Sequence, residues 1–187
     1  SIAALGNQLA VACALANVVQ IIDSRTNAVE ATIDVPPVPY YIRSSTQNSV
    51  FVVVGLGNGK LDSAVQTASQ MTFINPTTRA VITTIELTGR PAELLEQYPR
   101  GLIVTPTGFA YVPVQTGLLR VNARTRAKSS LVLQTDYSSI AYNGARAELL
   151  LLRADGPMVE VWDELAENQK SSVTLRAKPG AILGLPR

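Results

Sequence analysis

Histidine is absent from the 187 residues. That removes histidine metal ligands, histidine general bases, and nucleophiles activated by a histidine. Any chemistry falls to Asp, Glu, Lys, Arg, Tyr or Ser. There is one cysteine, Cys13, so no internal disulfide forms. Its place in the apolar run Leu9–Leu15 predicts a small buried hydrophobe. Long hydrophobic runs are missing too. The apolar stretches Val50–Gly55 and Leu149–Leu152 fall far short of the roughly 18 residues that a membrane-spanning helix needs. Strong charge of either sign is lacking: the net charge is +2 and the pI about 8.8, which implies no nucleic-acid partner. Hydrophobic residues at 47% and charged residues at 16% lie far from a disordered profile and suit one domain with a sizeable core. The chain opens on Ser1 and not on Met, which reads as processing or excision from something longer.

What is present is a repeat. Four segments align without gaps: Ile22–Val29, Ile74–Val81, Val121–Lys128 and Trp162–Gln169. Each sets an apolar residue before an Asp or Asn (Asp23, Asn75, Asn122, Asp163) and follows it with a short polar turn. Thr26, Thr78 and Thr125 stand three positions further on in the first three. The chemistry is that of a turn. A carboxylate or amide oxygen at its first position accepts from backbone amides two or three residues on and closes a hairpin. Alternating residues flank it: Val19 and Ile21 before the first turn, Val29, Ala31 and Ile33 after it, and Val81, Thr83, Ile85 and Leu87 after the second. The anchors are 52, 47 and 41 residues apart. Four-stranded propeller blades run about 40–50 residues each. Earlier strand pairs fall near 1–7 and 8–15, 38–45 and 49–56, 100–106 and 108–115, and 137–143 and 146–153. Turn signals such as Gln47-Asn48-Ser49, Pro106-Thr107-Gly108 and Asn143-Gly144 part them. The expected fold is all-β: a single β-propeller domain of antiparallel four-stranded blades at about 1–35, 36–87, 88–135 and 136–177, with one more strand at 181–186.

Val19–Val35 and Met71–Leu87 carry a unit that resembles the YVTN family of β-propeller repeats, and Thr107–Val112 resembles that family's glycine turn into a tyrosine-valine strand. The third and fourth copies are degenerate. The resemblance covers most of the chain and implies a propeller of WD40-like or quinoprotein-like kind. It also implies a larger ring and a periplasmic or secreted setting. Three arrangements fit the repeat: a closed four-bladed ring, an arc of a seven- or eight-bladed propeller, or a dimer that pools eight blades.

Candidate site residues come from the longest connections, Gly55–Gln70 and Thr88–Arg100, which belong to one end of blade two. Gly55-Leu56-Gly57-Asn58-Gly59-Lys60 is rich in glycine and ends in lysine. It lacks the following Ser/Thr and the parallel strand of a phosphate loop, so it reads as a loop before it reads as an anion site. Asp62 lies just beyond it. Pro91–Tyr98 has the composition of a short helix, with Glu93 and Glu96 on one face as a solvated pair or a cation site. Lys60, Asp62, Arg90, Glu93, Glu96 and Tyr98 are therefore the expected ligand or partner contacts. Arg120, Arg124, Arg126 and Lys128 form a basic strip that reads as a solvated turn, and Trp162 is expected to pack between sheets. Tyr40 and Tyr41 follow Pro36-Pro37-Val38-Pro39, and adjacent strand positions face opposite sides.

The leading functional expectation is a non-catalytic binding or scaffold propeller with a protein partner, no catalytic or metal residues and no cofactor. The alternative is a portion of a propeller enzyme, lactonase-like, with catalytic residues partly outside the chain. A quinoprotein-like cofactor carrier gains little support from an aromatic content of 5%.

Overall fold

In the computed structural model the described residues are 1–57, 68–87, 100–114, 117–128, 132–177 and 179. They form fifteen strands in four antiparallel sheets. The first sheet is β1 (Ile2–Leu5), β2 (Gln8–Cys13), β3 (Val18–Asp23) and β4 (Ala28–Asp34). The second is β5 (Pro39–Ser45), β6 (Val50–Gly55), β7 (Gln70–Asn75) and β8 (Ala80–Glu86). The third holds β9 (Ile103–Val104), β10 (Phe109–Val114) and β11 (Gly117–Asn122). The bridges Leu118–Leu133 and Val121–Lys128 mark the place of its fourth strand. The last sheet is β12 (Tyr137–Asn143), β13 (Glu148–Arg153), β14 (Met158–Asp163) and β15 (Asn168–Thr174). Strands pair in sequence order within every sheet, which is the up-and-down meander of a propeller blade. Residues 181–186, expected as one more strand, lie outside the described residues.

The anchor hairpins form as their chemistry requires. Asp23 Oδ1 accepts from the amides of Arg25 and Thr26 at 2.7 and 3.2 Å. Asn75 does the same for Thr77 and Thr78, Asn122 for Arg124 and Thr125, and Asp163 for Leu165 and Ala166. The residue four beyond each anchor takes a left-handed backbone: Asn27, Arg79, Arg126 and Glu167, with φ between 52° and 60°. Such a turn needs one left-handed residue before the return strand, and Asn tolerates that conformation best of the four.

A bulge follows each turn in the first, second and fourth sheets, between Ile21 and Ile22, Phe73 and Ile74, and Val161 and Trp162. It corrects the simple alternation read after the turn. Val29 pairs with Ile22, whereas Ala31 pairs with Ile21, so Val29 faces away from Ala31 and Ile33. Val29 is accordingly 55% exposed.

The sheets stack face to face in sequence order. One cluster joins the first and second sheets through Ala10, Val19, Ile21 and Ile33 against Ile42, Phe51, Val53 and Ile74. A second joins the second and third through Val52, Val54, Met71 and Phe73 against Ala110, Val112 and Val121. A third joins the third and fourth through Tyr111 and Leu118 against Tyr137, Leu149, Leu151 and Trp162. Each large apolar side chain so buried stabilises the fold by about 1.5–3 kcal/mol. Strands β1, β5, β9 and β12, the first of each sheet, approach the neighbouring sheets most closely and line the inner side of the stack.

Candidate functional site

Connections in an up-and-down sheet alternate between its ends. The turns after the first and third strands share one end. The connections after the second and fourth share the other, and the long segments after β6 and β8 belong to it. Lys60, Asp62, Arg90, Glu93, Glu96 and Tyr98 all lie outside the described residues, but the roots of their segments are defined. Ser69 Oγ donates to the Leu56 carbonyl at 3.0 Å, and the Leu87 amide donates to the Ser69 carbonyl at 2.9 Å. Leu56 and Gly57 donate to the carbonyls of Val38 and Pro37. The root of the first segment is thereby tied to the Pro36–Pro39 linker between the first two sheets. A methyl group at Gly55 would stand 2.9 Å from the Pro37 carbonyl oxygen, so only glycine allows this approach.

That linker forms one wall of a cavity of about 440 Å³, lined by Ser1, Ala12, Ala14, Pro39, Tyr40, Tyr41 and Arg43. Val38 has φ 56°, a conformation that costs a β-branched residue dearly. It is held there from both sides. Its amide donates to Asn17 Oδ1 at 2.9 Å and its carbonyl accepts from Leu56 at 3.0 Å. A register shift between Pro39 and Tyr41 then brings two consecutive tyrosines to the same cavity, where strict alternation would part them. Their rings meet edge to face with centroids 4.9 Å apart. Tyr40 is half exposed and Tyr41 half buried. Burial pushes the Tyr41 hydroxyl above the ordinary tyrosine range, with the Tyr40 hydroxyl adding to the effect. Tyr41 therefore stays protonated and able to donate. Arg43 donates to the Ile42 carbonyl at 2.8 Å and meets no carboxylate among the described residues. The arrangement is an aromatic wall beside an uncommitted guanidinium, suited to an apolar group that carries an anionic end.

A polar centre lies between the third and fourth sheets, at the opposite end. Glu164 is buried and accepts from Thr105 at 2.6 Å, from Thr107, and from the Tyr142 hydroxyl at 2.9 Å. Beside it the Tyr111 hydroxyl is buried with no hydrogen-bond partner among the described residues, and burial, then the charge of Glu164, pushes its pKa up. The Tyr111 ring meets Trp162 edge to face at 6.3 Å, so Trp162 packs between sheets as expected. Arg120 pairs with Glu167 and stacks on Phe109 at 4.9 Å. This corrects its assignment to a solvated strip: Arg120 sits on β11 facing the fourth sheet and, like Arg126, is partly buried, while Arg124 is exposed. The Glu164 centre escaped the sequence reading, though one signal marked it. The position after each anchor holds Ser24, Pro76 and Ala123 in the other copies, and only the fourth places a carboxylate there. A second cavity, of about 300 Å³ and lined by Gln47, Asn48, Thr107, Gly108, Asn122 and Arg124, is polar and shares this end.

Among the described residues no group of three or more Asp, Glu or Cys is placed to hold a metal ion, and no helix is long and apolar enough to cross a membrane.

The sheets and their stacking define a β-propeller. No family model and no curated protein matches the sequence. Solved structures do resemble it. Hydrazine synthase from Kuenenia stuttgartiensis superposes with a TM-score of 0.71 at 13% identity, over 93% of this chain and 48% of that one. Apo AztD from Citrobacter koseri gives 0.69 at 17% identity, over 97% of this chain and 48% of that one. At such identities the likeness is one of fold, and the chain spans about half the length of either protein.

Proposed function

We propose that the chain is a non-catalytic binding module built on YVTN-type propeller repeats and working in the periplasm or outside the cell. Its ligand is an apolar segment with an anionic end, such as a protein partner's peptide bearing a free carboxylate. The observation that carries this reading is the cavity at Tyr40, Tyr41 and Arg43, where two aromatic faces stand beside a guanidinium with no carboxylate partner among the described residues. The connections expected to hold Lys60, Asp62, Arg90, Glu93, Glu96 and Tyr98 leave the same end of the sheets and would extend the contact surface. The test is calorimetric titration with a short phenylalanine-ended peptide, free or amidated at its C-terminus. Binding of the free acid is expected to weaken at least tenfold, about 1.4 kcal/mol, on amidation and in Arg43→Ala. Equal affinity for the two peptides, or no binding of either, would remove the reading.

A further inference from the structure

The three interfaces between the described sheets follow one rule, and the outer faces of the first and fourth sheets can be read against it. In each sheet the residue before the anchor shares its face with alternate residues of the first two strands, and that face packs on the preceding sheet. In the second sheet the set is Ile42, Phe51, Val53 and Ile74, none more than 1% exposed. In the fourth it is Ile140, Leu149, Leu151 and Trp162, all buried. By strand register the same places in the first sheet are held by Ile2, Leu9, Val11 and Ile22. They are just as apolar, yet Ile2 is 58% exposed and the other three are only half buried. The position after the anchor tells the same story. Pro76, Ala123 and Glu164 are buried, and Ser24 is exposed.

The far side of the fourth sheet is the complement. The places that pack on a following sheet are Ala10, Ala12, Val19 and Ile33 in the first. Their equivalents in the fourth are Leu150, Leu152, Val159 and Val173: Leu152 is buried, Leu150 and Val159 are half buried, and Val173 is 52% exposed where Ile33 is 8%.

We propose that these two faces bind each other between two copies of the chain, head to tail, to complete a ring of eight sheets. The contact would repeat a geometry that the molecule already uses three times, apolar alternate residues of one sheet against the pre-anchor face of the next. A head-to-tail contact of this kind closes when the rotation per subunit divides the circle, and four sheets of the eight make each copy one half of it.

Light scattering on the purified chain tests this. The expected mass is twice the 20.0 kDa of one chain. Val11→Arg on one face and Leu150→Arg on the other should each give a species of one chain with unchanged far-ultraviolet dichroism. Mixing the two variants should restore a pair through the one intact interface. A wild-type chain that stays single at about 100 µM, a concentration at which even a micromolar dimer forms, would overturn the proposal and assign the faces to blades of a longer polypeptide. So would a Leu150→Arg variant that still pairs as wild type, because that outcome requires the first-sheet faces to meet each other.

Discussion

Phe51 and Leu9 hold the same place in successive sheets, on the strand next to the innermost and on the face toward the preceding sheet. Phe51 is fully buried because the first sheet lies against it, while Leu9 stays half buried because no described sheet lies against it. Both places hold a large apolar residue; the neighbour differs. A residue's weight in this fold is therefore set by whether a further sheet stacks on it. Breaking the equivalence should give the largest effect. Phe51→Ala is expected to cost about 3–5 kcal/mol in urea unfolding. Leu9→Ala should cost about 1 kcal/mol or less in a single chain, a gap that closes only where something covers the first sheet.

The interface between the third and fourth sheets sharpens the comparison, since it sets a buried carboxylate at one end of its apolar filling. Glu164→Ala leaves the hydroxyls of Thr105, Thr107 and Tyr142 without their acceptor. A loss of about 2–3 kcal/mol is expected by the same unfolding measurement. Smaller effects separate the hairpins. Arg79 and Asn27 occupy the same left-handed position, and Asn fits it with less strain. Asn27→Arg should lower stability by about 0.5 kcal/mol, read as a fall in melting temperature.

The smallest contrast is one of pH. The Arg25 side chain and amide hold the Asp23 carboxyl at about 2, and the Ala166 amide, with Lys170 among the lesser causes, lowers Asp163. A carboxyl depressed in the folded state stabilises it above its unfolded pKa, near 3.8, and that contribution fades as pH falls toward the folded value. Asn75 and Asn122 hold equivalent places and do not titrate. Between about pH 4 and pH 2, amide protection, taken relative to the intrinsic exchange rate at each pH, should fall in the turns of the first and fourth sheets and hold in the second and third. An equal loss of protection in all four would show that the anchors are not what titrates.

The anchors were also the most legible part of the chain, because Asx turns work within three or four residues and their rule is local. The bulge that turns Val29 outward was not legible, since register after a turn depends on the partner strand. Tyr40 and Tyr41 were visible as a pair, but their sharing of one cavity depends on the shift at Pro39 and on Val38, held by Asn17 and Leu56 from two other connections. Glu164 meets Thr105 across 59 residues of sequence, a contact that no spacing rule reaches. The six residues drawn from the long connections lie outside the described residues.

The self-sufficient hairpin at each anchor bears on how the chain reaches its fold. Every strand pairs with its neighbour in sequence, so the loops that must close are short and contact order within a sheet is low. A sheet can zip from its own turn without waiting for distant partners, and stacking can then spread from any one sheet to the next, as in other repeat proteins. The slow event under this scheme is the docking of finished sheets.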